Sequence, residues 1–470
     1  MKYGFFLLLA AIILQNYLFY NQNFGINFLA LNVLVLTLLL VRNRDYLKQI
    51  NTQLASLGSV LCGMTIAFYG GDTSIFLYIF SILLLIGYNS IAQLSPYVSA
   101  FNGFVSFIGI ASFNAGANLL TKADTPTNQR RFSKQIQLLL PPLAITLCFY
   151  GLYYWANPNF SFLSTTYTLD AGYLFLFLVG LTWIPALIFP YSPNAFTESD
   201  LSRPNTLKRI RTRFKGHLLQ LKWEYRQGVI MLVMLNSLLA IFLVVELQSL
   251  YSGSKAQSAY ELSQSVHDGI NVLIISILLA ITLILFYFRK NLNFFPNNQT
   301  LVKQAYTWIG LNILLLAVTT HTNSLYVQNY GLTYKRIGVY LWLLLTGLGL
   351  FTTLLKIHQK KTNAYLFRVN SWITYFVFIL MVAMPWAKII THYNLNYSRS
   401  LDLSYLFSLH HSNLPQLQAY SETHPGLEDK LSFAVESFQK RYERYPDAWQ
   451  SWNYSDWKLY QHLTSHPLKK

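Results

Sequence analysis

Apolar runs of about 20 residues, separated by short polar connections, recur along the chain. A run of that length crosses a bilayer as a helix. Lys2–Tyr20 and Gly25–Val41 read as an uncleaved helical hairpin, because no small-residue cleavage pattern follows the first run. Leu54–Gly70 and Ser74–Ser90 form the next pair. Ile136–Trp155 stops at Asn157-Pro158, and Gly172–Phe189 stops at Pro190. Gly228–Leu247, Gly269–Phe288, Ala305–Val318, Ile337–Lys356 and Trp372–Trp386 follow. Tyr97–Leu120 is diluted by Asn102, Ser106, Ser112, Asn114 and Asn118. It either spans, packed through its small face against other helices, or re-enters. The pattern predicts an all-α, polytopic integral membrane helical bundle of eleven or twelve spans.

Two stretches depart from this pattern. Within residues 204–226, Leu207, Ile210, Phe214, Leu218 and Leu221 recur at helical spacing. Lys208, Arg209, Arg211, Arg213, Lys215 and Lys222 stand between them. The spacing predicts a basic amphipathic helix on a membrane surface, with anionic lipid head groups as its partner. Residues 391–470 are polar and aromatic, with helical spacing through Leu427, Leu431, Val435 and Phe438. They predict a small helical tail. The expected division is 1–156 for the N-terminal hairpins, 157–390 for the transmembrane core and 391–470 for the tail.

Composition strengthens the membrane reading. The chain of 470 residues is 53% hydrophobic and 11% charged, against roughly 25% charged in a soluble domain. Its net charge of +17 gathers in the connections between apolar runs. That is how the positive-inside rule distributes charge, so nucleic acid is not an expected partner. Placing the connections after Thr121, Ser199, Arg289 and His358 in the cytoplasm puts three parts outside: the Gln248–Asp268 loop, the Thr320–Arg336 corner and the tail. The N-terminus is inside if Tyr97–Leu120 does not span.

Candidate chemistry is sparse. Cys62 and Cys148 each lie in an apolar run without a Cys-x-x-Cys partner, which predicts buried structural thiols. His410-His411 lacks the helical spacing of a metal pair, and no cofactor or metal motif is expected. No nucleophile elbow, phosphate loop or dinucleotide fingerprint is present. The polar groups that stand out gather at the predicted outer face: Glu246, His267, Asp268, Tyr330, Thr333, Lys335, Arg336 and Asp402. An ionisable residue at a span is costly unless paired. Arg336 lies on the side where positive charge is depleted, so pairing with Asp268 or Asp402 is expected. Glu246 also reads as a carboxylate reaching the interface, and Asp268 as a helix cap.

Several strings carry a family resemblance. They are Asn236–Gly253, Val266–Gly269, Arg289–Phe295, Tyr330–Gly338 (YGLTYKRIG), Tyr393-Asn394, Leu401-Asp402, Tyr405-Leu406 and Trp449–Asn453. Together they resemble the bacterial multi-pass membrane proteins called domain of unknown function 4173 (DUF4173), close to the DUF4153 group. The resemblance runs from about Asn157 onward; earlier segments match in hydropathy alone. It implies a Gram-negative inner-membrane protein without an assigned activity, in which the tail that the charge pattern places outside would be periplasmic. Three functions stay open. The first is a non-enzymatic scaffold or signalling and envelope-associated partner of another membrane protein, favoured because catalytic motifs and midplane charges are lacking. The others are a transporter with a polar site near Glu246, Asp268 and Arg336, and an enzyme on a lipid-linked substrate at the outer leaflet.

Overall fold

The computed structural model describes residues 4–110, 146, 170–190, 194–209, 215–252, 276–277, 279, 281–288, 291–296, 298–442 and 448–466. Among the described residues the regular elements are helices, with no named strand. In chain order the helices are α1 (Gly4–Phe19), α2 (Asn27–Arg42), α3 (Ile50–Tyr69), α4 (Asp72–Ser90), α5 (Pro96–Val105), α6 (Ala171–Ile188), α7 (Asn194–Leu201) and α8 (Lys215–Ser252). Then come α9 (Gln299–Tyr330), α10 (Tyr334–His358), α11 (Asn363–Val382), α12 (Trp386–Tyr397), α13 (Leu403–Phe407), α14 (Leu414–Ser421), α15 (Glu428–Tyr442) and α16 (Tyr454–Ser465).

Six of these helices are long and apolar enough to cross a membrane: α3, α4, α8 from Gln220 to Gln248, α9, α10 and α11. Phe6–Phe19, Asn27–Arg42 and Gly172–Ile188 are shorter apolar helices. The predicted Ile136–Trp155 span lies outside the described residues apart from residue 146, and Gly269–Phe288 is helical over 281–287. In the weak segment, α5 is followed by a wide π turn at Ser106–Ile110, and the rest lies outside the described residues. The predicted last span is displaced. Its helix begins at Asn363, so Arg368 is helical rather than in a loop, and it ends at Val382 before Pro385.

Contacts group the chain into two compact units that do not follow the three-part division. The first comprises Met1–Ser202, Phe378–Pro385 and Leu431–Lys470, and the second Arg203–Val377 and Trp386–Lys430. In the first unit, short connections fold α2, α3, α4 and α5 back and forth. The Tyr78 hydroxyl donates to the Phe28 carbonyl (3.1 Å) and the Tyr46 hydroxyl to that of Leu85 (3.0 Å). Tyr78, Tyr88, Leu39, Ile66 and Leu84–Ile86 are fully buried. The small face of α5 does pack closely. A Cβ on Gly87 would lie 1.9 Å from the Ser99 carbonyl oxygen, and one on Gly103 would lie 1.8 Å from that of Leu83. Backbones approach this closely only through small residues. Residues 451–453 form a strap at one end of this unit. Ile26 N–H donates to the Trp452 carbonyl (2.9 Å), and Asn453 Nδ2 donates to that of Ile66 (2.8 Å).

The second unit is built on the packing of α8 against α9 and of α9 against α10. Asn236 Nδ2 donates to Gln304 Oε1 (2.8 Å), and the Ser324 and Tyr340 hydroxyls are hydrogen-bonded (2.8 Å). Tyr287, Phe288, Trp308 and Leu350 fill its core. The predicted amphipathic surface helix takes another form. Residues 203–209 are not helical, and 210–214 lie outside the described residues. Lys215 and Lys222 belong to the 38-residue α8, continuous with the apolar span. Leu221, assigned to the lipid-facing stripe by spacing, is buried in the core of the unit. Hydropathy alone does not distinguish a stripe facing lipid from one facing neighbouring helices.

Candidate functional site

The predicted outer corner is where α9 turns into α10. Gly331 ends α9 with φ +80°, a conformation that costs glycine nothing and other residues about 1 kcal/mol or more. Asn394 on α12 then holds the connection as a second peptide group would. Its Oδ1 accepts from Leu332 N–H (2.5 Å), and its Nδ2 donates to the Leu332 carbonyl (3.0 Å). Thr333 caps α10 by accepting from Arg336 N–H (3.4 Å). The Tyr405 hydroxyl accepts from Tyr334 N–H (3.0 Å), which satisfies a first-turn donor of α10. Burial pushes the Tyr405 hydroxyl pKa up.

Arg336 points back along the turn. Its Nη1 donates to the carbonyls of Tyr330 (2.6 Å) and Gly331, and its guanidinium lies 3.9 Å over the Tyr326 ring. This corrects the expected partnership with Asp402. The Asp402 carboxylate caps α13 by accepting from Tyr405 N–H (3.0 Å). Arg336 instead finds the partial negative charge of helix C-terminal carbonyls and a ring face, which together stabilise a cation. Arg399 holds the same helix end from outside, its N–H to the Gln328 carbonyl (3.2 Å) and Nη1 to Asn329 Oδ1 (3.1 Å).

The other candidates do not join this corner. Lys335 is exposed, and Glu246 is half-buried on α8 with no ion pair among the described residues. His267 and Asp268 lie outside the described residues, so the Arg336–Asp268 alternative does too. Of the predicted basic surface, Lys208 and Arg209 are exposed in an irregular segment, Lys222 is exposed on α8, and Arg211 and Arg213 lie outside the described residues. Cys62 is buried beside the Ser81 hydroxyl (3.6 Å), while Cys148 lies outside the described residues. His410 Nδ1 accepts from Ser412 N–H (3.3 Å), closing a local turn. No group of metal-binding side chains occurs among the described residues.

Sequence reasoning missed two recurring roles. Arg42 and Lys356 also donate to helix C-terminal carbonyls, Arg42 to Ile188 and Lys356 to Phe288 (2.9 Å). Lys356 is 1% exposed, and its position at the end of an apolar run was the available signal. Asp200, also buried, accepts from Ser95 N–H (2.7 Å), the Ser95 hydroxyl and the Tyr97 hydroxyl (3.2 Å). It thereby places an anion at the start of α5. Ser95-Pro96 announces that helix start, but nothing in the sequence links it to Asp200.

The family described as Domain of unknown function (DUF4153) matches residues 4–420. The match therefore falls on the second of the two groups that the residues resemble. It includes the N-terminal helices and stops before α15. No curated protein and no solved structure matches the chain.

Proposed function

The chain belongs to the DUF4153 family, and from that premise we propose that it is a bacterial inner-membrane scaffold that presents its C-terminal helices outside the cytoplasm. The observation carrying this reading is the use made of the polar corner. Asn394, Thr333, Tyr405, Asp402 and Arg399 each fix a helix end or attach α12 and α13 to the α9–α10 turn. Groups so engaged serve assembly. A solute or a lipid-linked substrate would need polar groups left open to it.

The strap supports the orientation. It binds the α1–α2 turn and the last turn of α3. Arg42, Arg44 and Lys48 stand at the opposite ends of α2 and α3. Under the positive-inside rule the strap then faces outward.

Two fusions after Lys470 test the topology, with alkaline phosphatase expected to be active and a fluorescent protein dark. A photo-reactive residue at Glu422 or Lys440, both exposed, is expected to give one discrete cross-linked membrane-protein adduct. A reporter active on the cytoplasmic side would overturn the orientation. Solute uptake into reconstituted vesicles that Glu246→Gln abolishes would replace the scaffold with a transporter.

A further inference from the structure

Two basic segments, 203–209 and 356–368, are joined backbone to backbone in the second unit. Leu207 N–H donates to the Lys360 carbonyl (2.9 Å), and Thr362 N–H donates to that of Asn205 (3.0 Å). Thr206 and Lys361 form an antiparallel bridge. The Thr362 hydroxyl donates to the Pro204 carbonyl (2.8 Å). Arg368 crosses the joint, its Nη1 donating to the Arg203 carbonyl (3.1 Å) and Asn205 Oδ1 (2.6 Å). This register sets Lys208 and Arg209 alongside the Gln359–Lys361 turn.

Neither segment contains an acidic residue. Lys208, Arg209 and Lys360 are exposed and Lys361 is half-buried. None of these four forms an ion pair among the described residues. Backbone bonds thus hold like charges together. Lys360 adopts φ +50° as the left-handed residue that closes α10, with Lys361 N–H donating to the Lys356 carbonyl (2.9 Å), so the helix end itself fixes where the two lysines stand.

Aromatic rings set the level of these cations. Lys360 Nζ lies 5.0 Å from the Phe294 ring centre and Lys361 Nζ 5.3 Å from that of Tyr365. Trp223, 73% exposed, stands near the start of the apolar stretch Gln220–Gln248. Tyr225 stacks on Phe295 (5.1 Å). Rings at the ends of apolar helices mark the lipid–water interface, where headgroup phosphates lie.

We propose that the joined 203–209 and 356–368 segments bind the phosphate of an anionic phospholipid headgroup, with Lys208, Arg209, Lys360 and Lys361 as its ligands. This rests on the membrane reading, and it commits to lipid rather than a soluble phosphate because of the ring level.

Native mass spectrometry tests it on the full chain, released from nanodiscs containing equal parts phosphatidylglycerol and phosphatidylcholine. Wild type is expected to retain phosphatidylglycerol preferentially. The variant Lys208→Gln/Arg209→Gln/Lys360→Gln/Lys361→Gln should lose at least roughly tenfold of that preference, since each basic group at an anionic surface contributes separately. Lys335→Gln/Lys430→Gln, both exposed and outside the two segments, should keep it. Retention by wild type should also fall as salt shortens the screening length. Unchanged retention in the quadruple variant, or salt-independent retention by wild type, would overturn the site. Inorganic phosphate that displaces the lipid and raises the melting temperature of lipid-free wild type would overturn the lipid assignment. Insertion into pure phosphatidylcholine nanodiscs reports on the membrane reading separately.

Discussion

Asn394 meets both polar groups of Leu332, and no nearby backbone takes its place. Asn394→Ala, at a 7% exposed position, leaves the N–H and carbonyl of half-buried Leu332 unmet. A loss of about 1–3 kcal/mol is expected. It should appear as a lower melting temperature in detergent and faster proteolysis within α12–α14; wild-type values for both would refute the clamp. Gly331→Ala should cost at least as much, because φ is +80° and the new Cβ would lie 2.8 Å from Asn394 Oδ1. Asp170 offers a test by pH. The Tyr20 hydroxyl, then Gly172 N–H, hold its carboxyl below the usual carboxylate range. A depressed folded pKa gives stability present above the unfolded value, ~3.9, and lost as pH falls through the folded one. Unfolding midpoints should therefore fall as pH drops below about 4, less steeply in Asp170→Asn and Tyr20→Phe. The carboxyl is exposed, so the contribution is small. Parallel pH curves for wild type and Asp170→Asn would exclude it.

Helix ends and helix crossings organise the elements. Arg42, Lys356 and Arg336 all meet carbonyls at helix C-termini. The last carbonyls of a helix lack partners within it, and the macrodipole makes them attractive to cations. Part of the positive charge read from the sequence as loop charge thus terminates helices. The crossing of α4 and α5 depends on absent side chains. Gly87→Val and Gly103→Val should each force the pair apart and lower stability by about 1–3 kcal/mol or more. Intact melting behaviour in both variants would show that the two helices yield without cost. Alternatively, Gly→Ser at either site should be milder than Val but still measurable.

At the scale of the molecule, residues 22–26 and 451–453, remote in sequence, meet within the first unit. Ser451 Oγ accepts from Asn23 N–H (2.8 Å) and donates to Gln22 Oε1 (2.8 Å). Gln22→Cys/Ser451→Cys should be joined by a short bifunctional thiol reagent in membranes, and Asn453→Ala should reduce the yield by loosening the strap. No cross-link at any reagent length would reject this docking. The strap lies beyond the residues matched by the family, so a chain truncated after residue 448 tests whether the first unit needs it. Loss of the Ile26–Trp452 and Ile66–Asn453 bonds predicts a lower melting temperature for that truncation.

The hydropathy pattern by itself determined the all-helical class and the presence of charge at helix ends, because burial in lipid acts on each run separately; of the eleven or twelve spans it predicts, six helices long and apolar enough to cross a membrane stand among the described residues. Leu54–Gly70, Ser74–Ser90 and Ile337–Lys356 each fall on a helix of nearly the same extent. Side-chain spacing predicted helix at 204–209, where the chain is irregular, and set Leu221 toward lipid, since a periodic apolar stripe faces lipid and protein alike. The polar corner was legible as a location through Tyr330–Arg336, yet its bonds were not. Of the two carboxylates expected for Arg336, Asp402 instead caps a helix, Asp268 lies outside the described residues, and the guanidinium lies on carbonyls. Only the tertiary structure decided such partners, because they join residues remote in sequence: Asn394 and Leu332 are 62 positions apart, and Asn453 and Ile66 are 387. A local pattern shows that a polar group needs a partner, while the packing of helices selects which one comes within reach.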